Sequence, residues 1–129
     1  MTFYFIVRIK NKSSLAYLTY DNRGKIFFTD EESAKNIWRI SNSTGSYKKI
    51  KTLSGRLLLL ANSNSTIVLS QENNVQAEEW FINKITEIIM NRKFSRPLAL
   101  TVQLNEAILG KNTDRSDPKL REWEIIKIK

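Results

Sequence analysis

Three tryptophans limit what this chain can fold into. They are the only ones in 129 residues, and each sits in the same short phrase: Asn36-Ile37-Trp38-Arg39-Ile40, Glu78-Glu79-Trp80-Phe81-Ile82 and Arg121-Glu122-Trp123-Glu124-Ile125. The spacings, from 38 to 80 and from 80 to 123, are 42 and 43 residues. An Ile two places after each Trp puts both side chains on one face of an extended strand. A period in this range signals an architecture built from internal repeats.

The repeat continues upstream of each Trp. Leu18 stands eight positions before Phe27's neighbour Ile26, Leu59 eight before Ile67, and Leu100 eight before Ile108. Ile9 and Ile50 each stand nine before their Leu, while the third unit carries Ile88-Ile89-Met90 and an insertion around Arg96-Pro97. Each unit therefore has four apolar beats, the Trp phrase last. The units run over about residues 1–42, 43–84 and 85–129 of a single domain.

The beats are rich in β-branched and aromatic residues, and turn residues separate them, as in Asp21-Asn22-Arg23-Gly24 and Asn62-Ser63-Asn64-Ser65. Strands are expected over residues 85–90 and 98–104, the latter with Leu98, Leu100 and Val102 on one face. One helical turn is expected over residues 30–35, capped by Asp30. The last strand, from Trp123, should pair with the first. Three units of four short strands make an all-β protein of twelve strands. Three blades are too few for a propeller. A closed barrel with pseudo-threefold symmetry, capped by three hairpins, buries the faces and removes the exposed edges.

This pattern resembles the β-trefoil, and within it the ricin-B-type lectin modules, whose repeats each end in a Gln-any-Trp phrase. The chain keeps the Trp and the apolar residue after it, but Asn36, Glu78 and Arg121 replace the Gln. The resemblance covers nearly the whole chain and implies that the three Trp are core. It also implies sugar sites built from an Asp on the second strand of a repeat, a stacking aromatic at the third, and an amide before the Trp. A sugar ring offers an apolar face and a fan of hydroxyls, which an aromatic and a carboxylate or amide match. Aligned on Leu18, Leu59 and Leu100, the Asp position falls on Thr19, Leu60 and Thr101, none of them acidic. The usual galactose pocket is therefore not carried over.

Substitute sugar contacts lie nearby in each unit. The first offers Tyr20, Asp21, Asn22 and the stretch from Phe27 to Thr29 and Asp30, and is the preferred site. The second offers Asn62, Asn64, Gln71 and Asn73, with Asn74 beside them. The third offers Lys111, Asn112 and Asp114. All are also ordinary turn chemistry.

Composition narrows the function classes. Histidine and cysteine are both absent. That removes a Ser-His-Asp triad, a Cys nucleophile, thiolate metal sites and disulfides. A non-enzymatic module with no cofactor and no metal is expected. The formal charge is +8, from 21 Lys+Arg against 13 Asp+Glu, which favours anionic partners. Basic clusters at Arg8, Lys10 and Lys12, at Lys48, Lys49, Lys51 and Arg56, and at Arg92, Lys93 and Arg96 could share one face by symmetry. That would suit an anionic, sulfated polysaccharide. Nucleic acid is the weaker partner, since aromatic residues are sparse among these clusters. A protein-binding trefoil, such as a protease inhibitor using residues 92–97 or 111–119, is the alternative class. The leading expectation is a lectin-like module for glycans or glycoproteins, with a larger toxin or agglutinin assembly as its setting. No run approaches the roughly 20 apolar residues of a membrane helix. The cytoplasm is the default compartment, with release by another route left open.

Overall fold

In the computed structural model, residues 4–111 and 117–128 are described. The first third of the chain forms β1 (Tyr4–Asn11), β2 (Tyr17–Tyr20), β3 (Ile26–Thr29) and β4 (Trp38–Asn42). The second forms β5 (Lys48–Thr52), β6 (Leu58–Ala61), β7 (Ile67–Ser70) and β8 (Trp80–Asn83). The third forms β9 (Ile88–Asn91), β10 (Leu98–Thr101), β11 (Glu106–Leu109) and β12 (Trp123–Lys127). Each Trp opens the fourth strand of its third, directly after a short 3-10 turn: Ala34–Asn36, Gln76–Glu78 or Pro118–Arg121.

The first and last strands pair, as expected. β1 lies between β12 and β4, in the registers Asn11↔Trp123 and Val7↔Trp38. β4 continues to β5, β5 to β8, and β8 to β9. The Trp123 N–H donating to the Glu87 carbonyl at 2.8 Å joins β12 to the start of β9 and closes the ring. These six strands form a barrel. The hairpins β2–β3, β6–β7 and β10–β11 cap one end. They interlock through the pair Glu106↔Phe27 and the bridge Thr66↔Ile108. This is the β-trefoil architecture.

The indoles fill the barrel, each at most 1% exposed. A buried indole N–H needs an acceptor. Trp38 donates to the Leu18 carbonyl at 2.8 Å, Trp80 to Leu59 at 3.2 Å and Trp123 to Leu98 at 2.9 Å. The counterpart of Leu18 and Leu59 is therefore Leu98, not Leu100. The cross-strand pairs agree: Leu18↔Phe28, Leu59↔Leu69 and Leu98↔Leu109. The third hairpin holds one residue more than the others, and equal spacing hid it because Ile108 and Leu109 are both apolar. The extra length goes into the turn, so β10 ends at Thr101 and Val102 stands 69% exposed. Likewise β9 starts at Ile88, and Ile85 lies in a turn held by its N–H to the Asn83 carboxamide oxygen at 2.9 Å.

The expected helical turn is shorter and later than its acidic residues suggested. Ser33 caps it, accepting from the Lys35 N–H at 3.2 Å, and Asp30 plays no part.

The link from the first to the second strand of each third turns one recurrent corner. Leu15, Gly55 and Ser95 hold it with φ of +61°, +79° and +53°. Their N–H groups donate to the carbonyls of Asn11, Thr52 and Asn91 at 2.8, 2.8 and 2.9 Å. The buried amides of Asn11 and Asn91 add a second layer. Asn11 accepts from the Ser13 and Ser14 N–H groups and donates to the Leu120 carbonyl at 2.9 Å. Asn91 accepts from Lys93 and Phe94 and donates to the Ala77 carbonyl at 2.9 Å. Each amide thus ties a corner to the 3-10 turn three residues before a Trp. Thr52 stands at the third corner and is too short to reach.

Candidate functional site

The first third gathers most of its expected site residues. A depression of about 350 Å³ opens where the β2–β3 hairpin meets the loop leading to Trp38. Tyr20, Asp21, Asn22, Phe27 and Thr29 line it, joined by Thr19 and by Glu31, Ser33 and Lys35 from the loop. Asp30 does not line it. The register Thr19↔Phe27 sets a hydroxyl beside an aromatic ring on the hairpin floor.

Asn36 shapes the loop wall. Its amide donates to the Glu31 carbonyl at 2.7 Å and accepts from the Arg8 Nε at 2.7 Å and the Ser33 N–H at 3.2 Å. At the Gln position of the lectin phrase, Asn36 is thus fully buried and serves the loop, not the hollow. That fold swings Lys35 inward. Its Nζ donates to the Asn22 side-chain oxygen and sits 5.8 Å from the centre of the Tyr20 ring. Tyr20 in turn meets Trp38 edge-on at 5.4 Å.

Two groups in the hollow have shifted ionisation. Burial raises the Tyr20 hydroxyl above its ordinary range, so it stays a protonated donor. The Lys25 N–H, and after it the Arg23 N–H, hold the Asp21 carboxyl below the usual range. Those bonds, at 2.9 and 2.8 Å to one oxygen, make Asp21 chiefly the brace of its own turn. The Tyr20 hydroxyl, the Asn22 amide nitrogen and the Glu31 carboxylate have no partner among the described residues. The hollow thus presents donors, an acceptor, a cation and an aromatic face.

The second set does not come together. Asn62 donates to the Thr66 hydroxyl and Asn64 accepts from it, so both brace the β6–β7 turn. Asn73 gives its N–H to Glu78 at 2.6 Å. Gln71 lies elsewhere, in a depression shared with Tyr20 and Arg56. Glu78 is fully buried, and its second carboxylate oxygen has no hydrogen-bond partner among the described residues. A buried carboxylate with an unsatisfied oxygen is costly. Replacing Glu78 with Gln keeps the acceptor for Asn73 and removes the charge. We expect a gain of about 1–2 kcal/mol in urea unfolding, and a loss would show that the charge itself is satisfied.

In the third unit a larger depression of about 660 Å³ is lined in part by Lys111, Arg121 and Asp117. Asn112 and Asp114 lie outside the described residues. The residue matching Thr19 and Leu60 is Ala99, which faces Ile108, and not Thr101. A Cβ placed on Gly110 would come within 3.0 Å of the Ala99 Cβ, so this hairpin packs too closely there for a carboxylate. Arg96 is held by the carbonyls of Gly110 and Leu109, both at 2.9 Å, and by the Ser65 hydroxyl at 2.8 Å. Residues 92–97 form one of the recurrent corners, and residues 112–116 of the other candidate inhibitor loop lie outside the described residues.

The basic clusters are partly neutralised by the chain's own carboxylates. Lys12 pairs with Glu87 at 2.5 Å, Lys49 with Glu72 at 2.5 Å and Arg92 with Glu79 at 3.1 Å. The Lys49 bond holds the Glu72 carboxyl below its usual range, and the Glu87 bond raises Lys12. Arg39, which sequence reading left out, lies opposite Lys51 on the barrel wall, 4.7 Å from the Tyr4 ring centre. Its position beside the Trp hid it among core residues.

No family model and no curated protein sequence matches the chain. Solved structures do. A designed threefold-symmetric protein, ThreeFoil, superposes with a TM-score of 0.76 at 12% identity, covering 94% of this chain and 97% of its own. SeviL, solved with the asialo-GM1 saccharide, superposes at 0.80 with 14% identity, covering 98% and 100%. An exo-β-1,3-galactanase from Clostridium thermocellum superposes at 0.80 with 19% identity, over 96% of this chain but 30% of the enzyme. At such identities the likeness establishes the fold alone: this chain is a β-trefoil.

Proposed function

We propose that this protein is a non-enzymatic glycan-binding module whose working site is the hollow of the first third. The observation that carries the reading is the joint placement of Tyr20, Asn22, Phe27 and Lys35 between the β2–β3 hairpin and the turn before Trp38. The Phe27 and Tyr20 rings supply apolar area for a sugar face, while the hydroxyls, the amide and the ammonium supply hydrogen bonds. The trefoil solved with a saccharide supports the same class. Absence of His and Cys fits a module that binds and does not react.

A glycan array followed by calorimetry tests this. Tyr20→Ala and Lys35→Ala should each weaken binding by about tenfold or more, since each removes a contact worth roughly 1.4 kcal/mol. Asn73→Ala, outside the hollow, should leave it unchanged. Absence of binding to any arrayed glycan at high protein concentration would end the proposal.

Arg39 favours a second reading, a sulfated glycan on the barrel wall. Its Nε is buried with no hydrogen-bond partner among the described residues, and Lys51 stands across from it. Retention on heparin that falls with salt and with Arg39→Ala, but not with Tyr20→Ala, would select this reading.

A further inference from the structure

The end of the barrel away from the hairpins is open, and the strand alternation there points to a second ligand. Successive side chains on a strand face opposite sides. Trp80 and Ile82 face inward, and Lys84 stands in the turn directly after β8, beside Ile82 in the lining of the mouth. Trp123 and Ile125 bring Lys127 to the inner side. Both lysines line a depression of about 450 Å³ at the barrel mouth, with Lys48 from β5 as the third cation. The size falls within the roughly 300–1,000 Å³ of small-molecule sites.

The floor is apolar. Val7, Ile40 and Ile125 form it, and the half-exposed rings of Phe5 and Phe81 stand at the rim. Lys127 Nζ lies 4.3 Å from the Phe5 ring centre. Lys48 donates to the Asn42 side-chain oxygen at 2.6 Å. Lys84 has no partner among the described residues. No carboxylate lines the depression. Glu87 and Glu124 line a neighbouring one together with Lys84, but Glu87 is already paired with Lys12 at 2.5 Å. Three ammonium groups thus stand around an apolar floor that no carboxylate lines among the described residues.

We infer that the barrel mouth binds a single-chain amphipathic anion, an alkyl carboxylate or sulfate, with its chain on the apolar floor and its headgroup among Lys48, Lys84 and Lys127. A small hydrophilic anion would leave the floor wet, and a neutral amphiphile would leave the cations unmatched. The site lies at the opposite end of the barrel from the hairpins that form the glycan hollow and does not depend on that reading.

The test is calorimetry with the full chain and sodium decanoate below its micelle-forming concentration. Decanoate should bind, octanoate about tenfold more weakly for the loss of two buried methylenes, and acetate and a sugar-free nonionic octyl polyoxyethylene ether not measurably. The Lys84→Gln, Lys127→Gln double variant should weaken decanoate by tenfold or more, while Lys84→Arg, Lys127→Arg retains it. Vesicles of anionic phospholipid that bind the protein while monomeric decanoate does not would overturn the proposal. So would equal affinity for decanoate and the nonionic amphiphile, or full affinity in the Gln double variant. If that variant does not fold, judged by its near-ultraviolet circular dichroism, the ranking of the four ligands on the native chain decides alone.

Discussion

Trp38→Ala should unfold this protein or leave it barely folded. The indole is fully buried, donates to the Leu18 carbonyl and packs edge-on against Tyr20. Truncating a buried Trp costs about 3–5 kcal/mol through lost transfer energy and the cavity left behind. A domain of this size has only roughly 5–15 kcal/mol in total. The orphaned Leu18 carbonyl adds about 1–3 kcal/mol where water cannot reach it. Trp38→Phe separates the two parts: it keeps much of the volume and loses the hydrogen bond, so it should fall between wild type and Ala. Urea unfolding measures both. The hollow beside Tyr20 should suffer as well, so glycan binding should fall in Trp38→Ala even where it remains folded. A loss in Trp38→Ala of under 1.5 kcal/mol would mean that the barrel is not held by its indoles.

That the indoles are core was legible in the sequence, because the Trp recurs in each third with an Ile two places after it. The fold could be read for the same reason: the Trp phrases and the apolar beats carry both period and face. Register within the third unit could not. Leu98 and Leu100 are equally good apolar partners by spacing, and only the indole bond and the Leu98↔Leu109 pair distinguish them. The site was legible where it sits on a hairpin, since Tyr20, Asp21 and Asn22 follow a strand whose direction is fixed. Lys35 and Glu31 were not, because Asn36 decides where that loop lies through contacts with Arg8, 28 residues away in sequence. Asn62, Asn64 and Asn73 share the composition of a sugar site, but their amides and N–H groups are taken up by their own loops. Two of the three lysines of the barrel mouth could have been found by extending the second and third Trp phrases two residues beyond their Ile, to Lys84 and Lys127; the first phrase has Asn42 there.

Asn91→Ala is expected to cost about 2–4 kcal/mol, although Asn91 touches no proposed ligand. Its side chain is fully buried and makes three bonds: to the Ala77 carbonyl, and from the Lys93 and Phe94 N–H groups. Alanine leaves those partners without it, and each buried group left unpaired costs about 1–3 kcal/mol, less where water or relaxation intervenes. Asn91→Asp is the sharper variant. It retains both acceptor contacts but turns the donor into an oxygen facing the Ala77 carbonyl. Burial and that opposed oxygen would raise the carboxyl's pKa in the folded state, so the unfolded state binds fewer protons at intermediate pH. Its stability should then be greatest in acid, where the group is protonated and can donate, and should decline as pH rises past the unfolded value near 4. Thr52→Ala, at the corner where no amide reaches the next turn, supplies the comparison and should cost clearly less. Thermal unfolding of the three variants across pH 4–8 measures the order. Should Asn91→Ala cost no more than Thr52→Ala, the corners are held by their backbone bonds alone, and the turn before Trp80 does not depend on its neighbour.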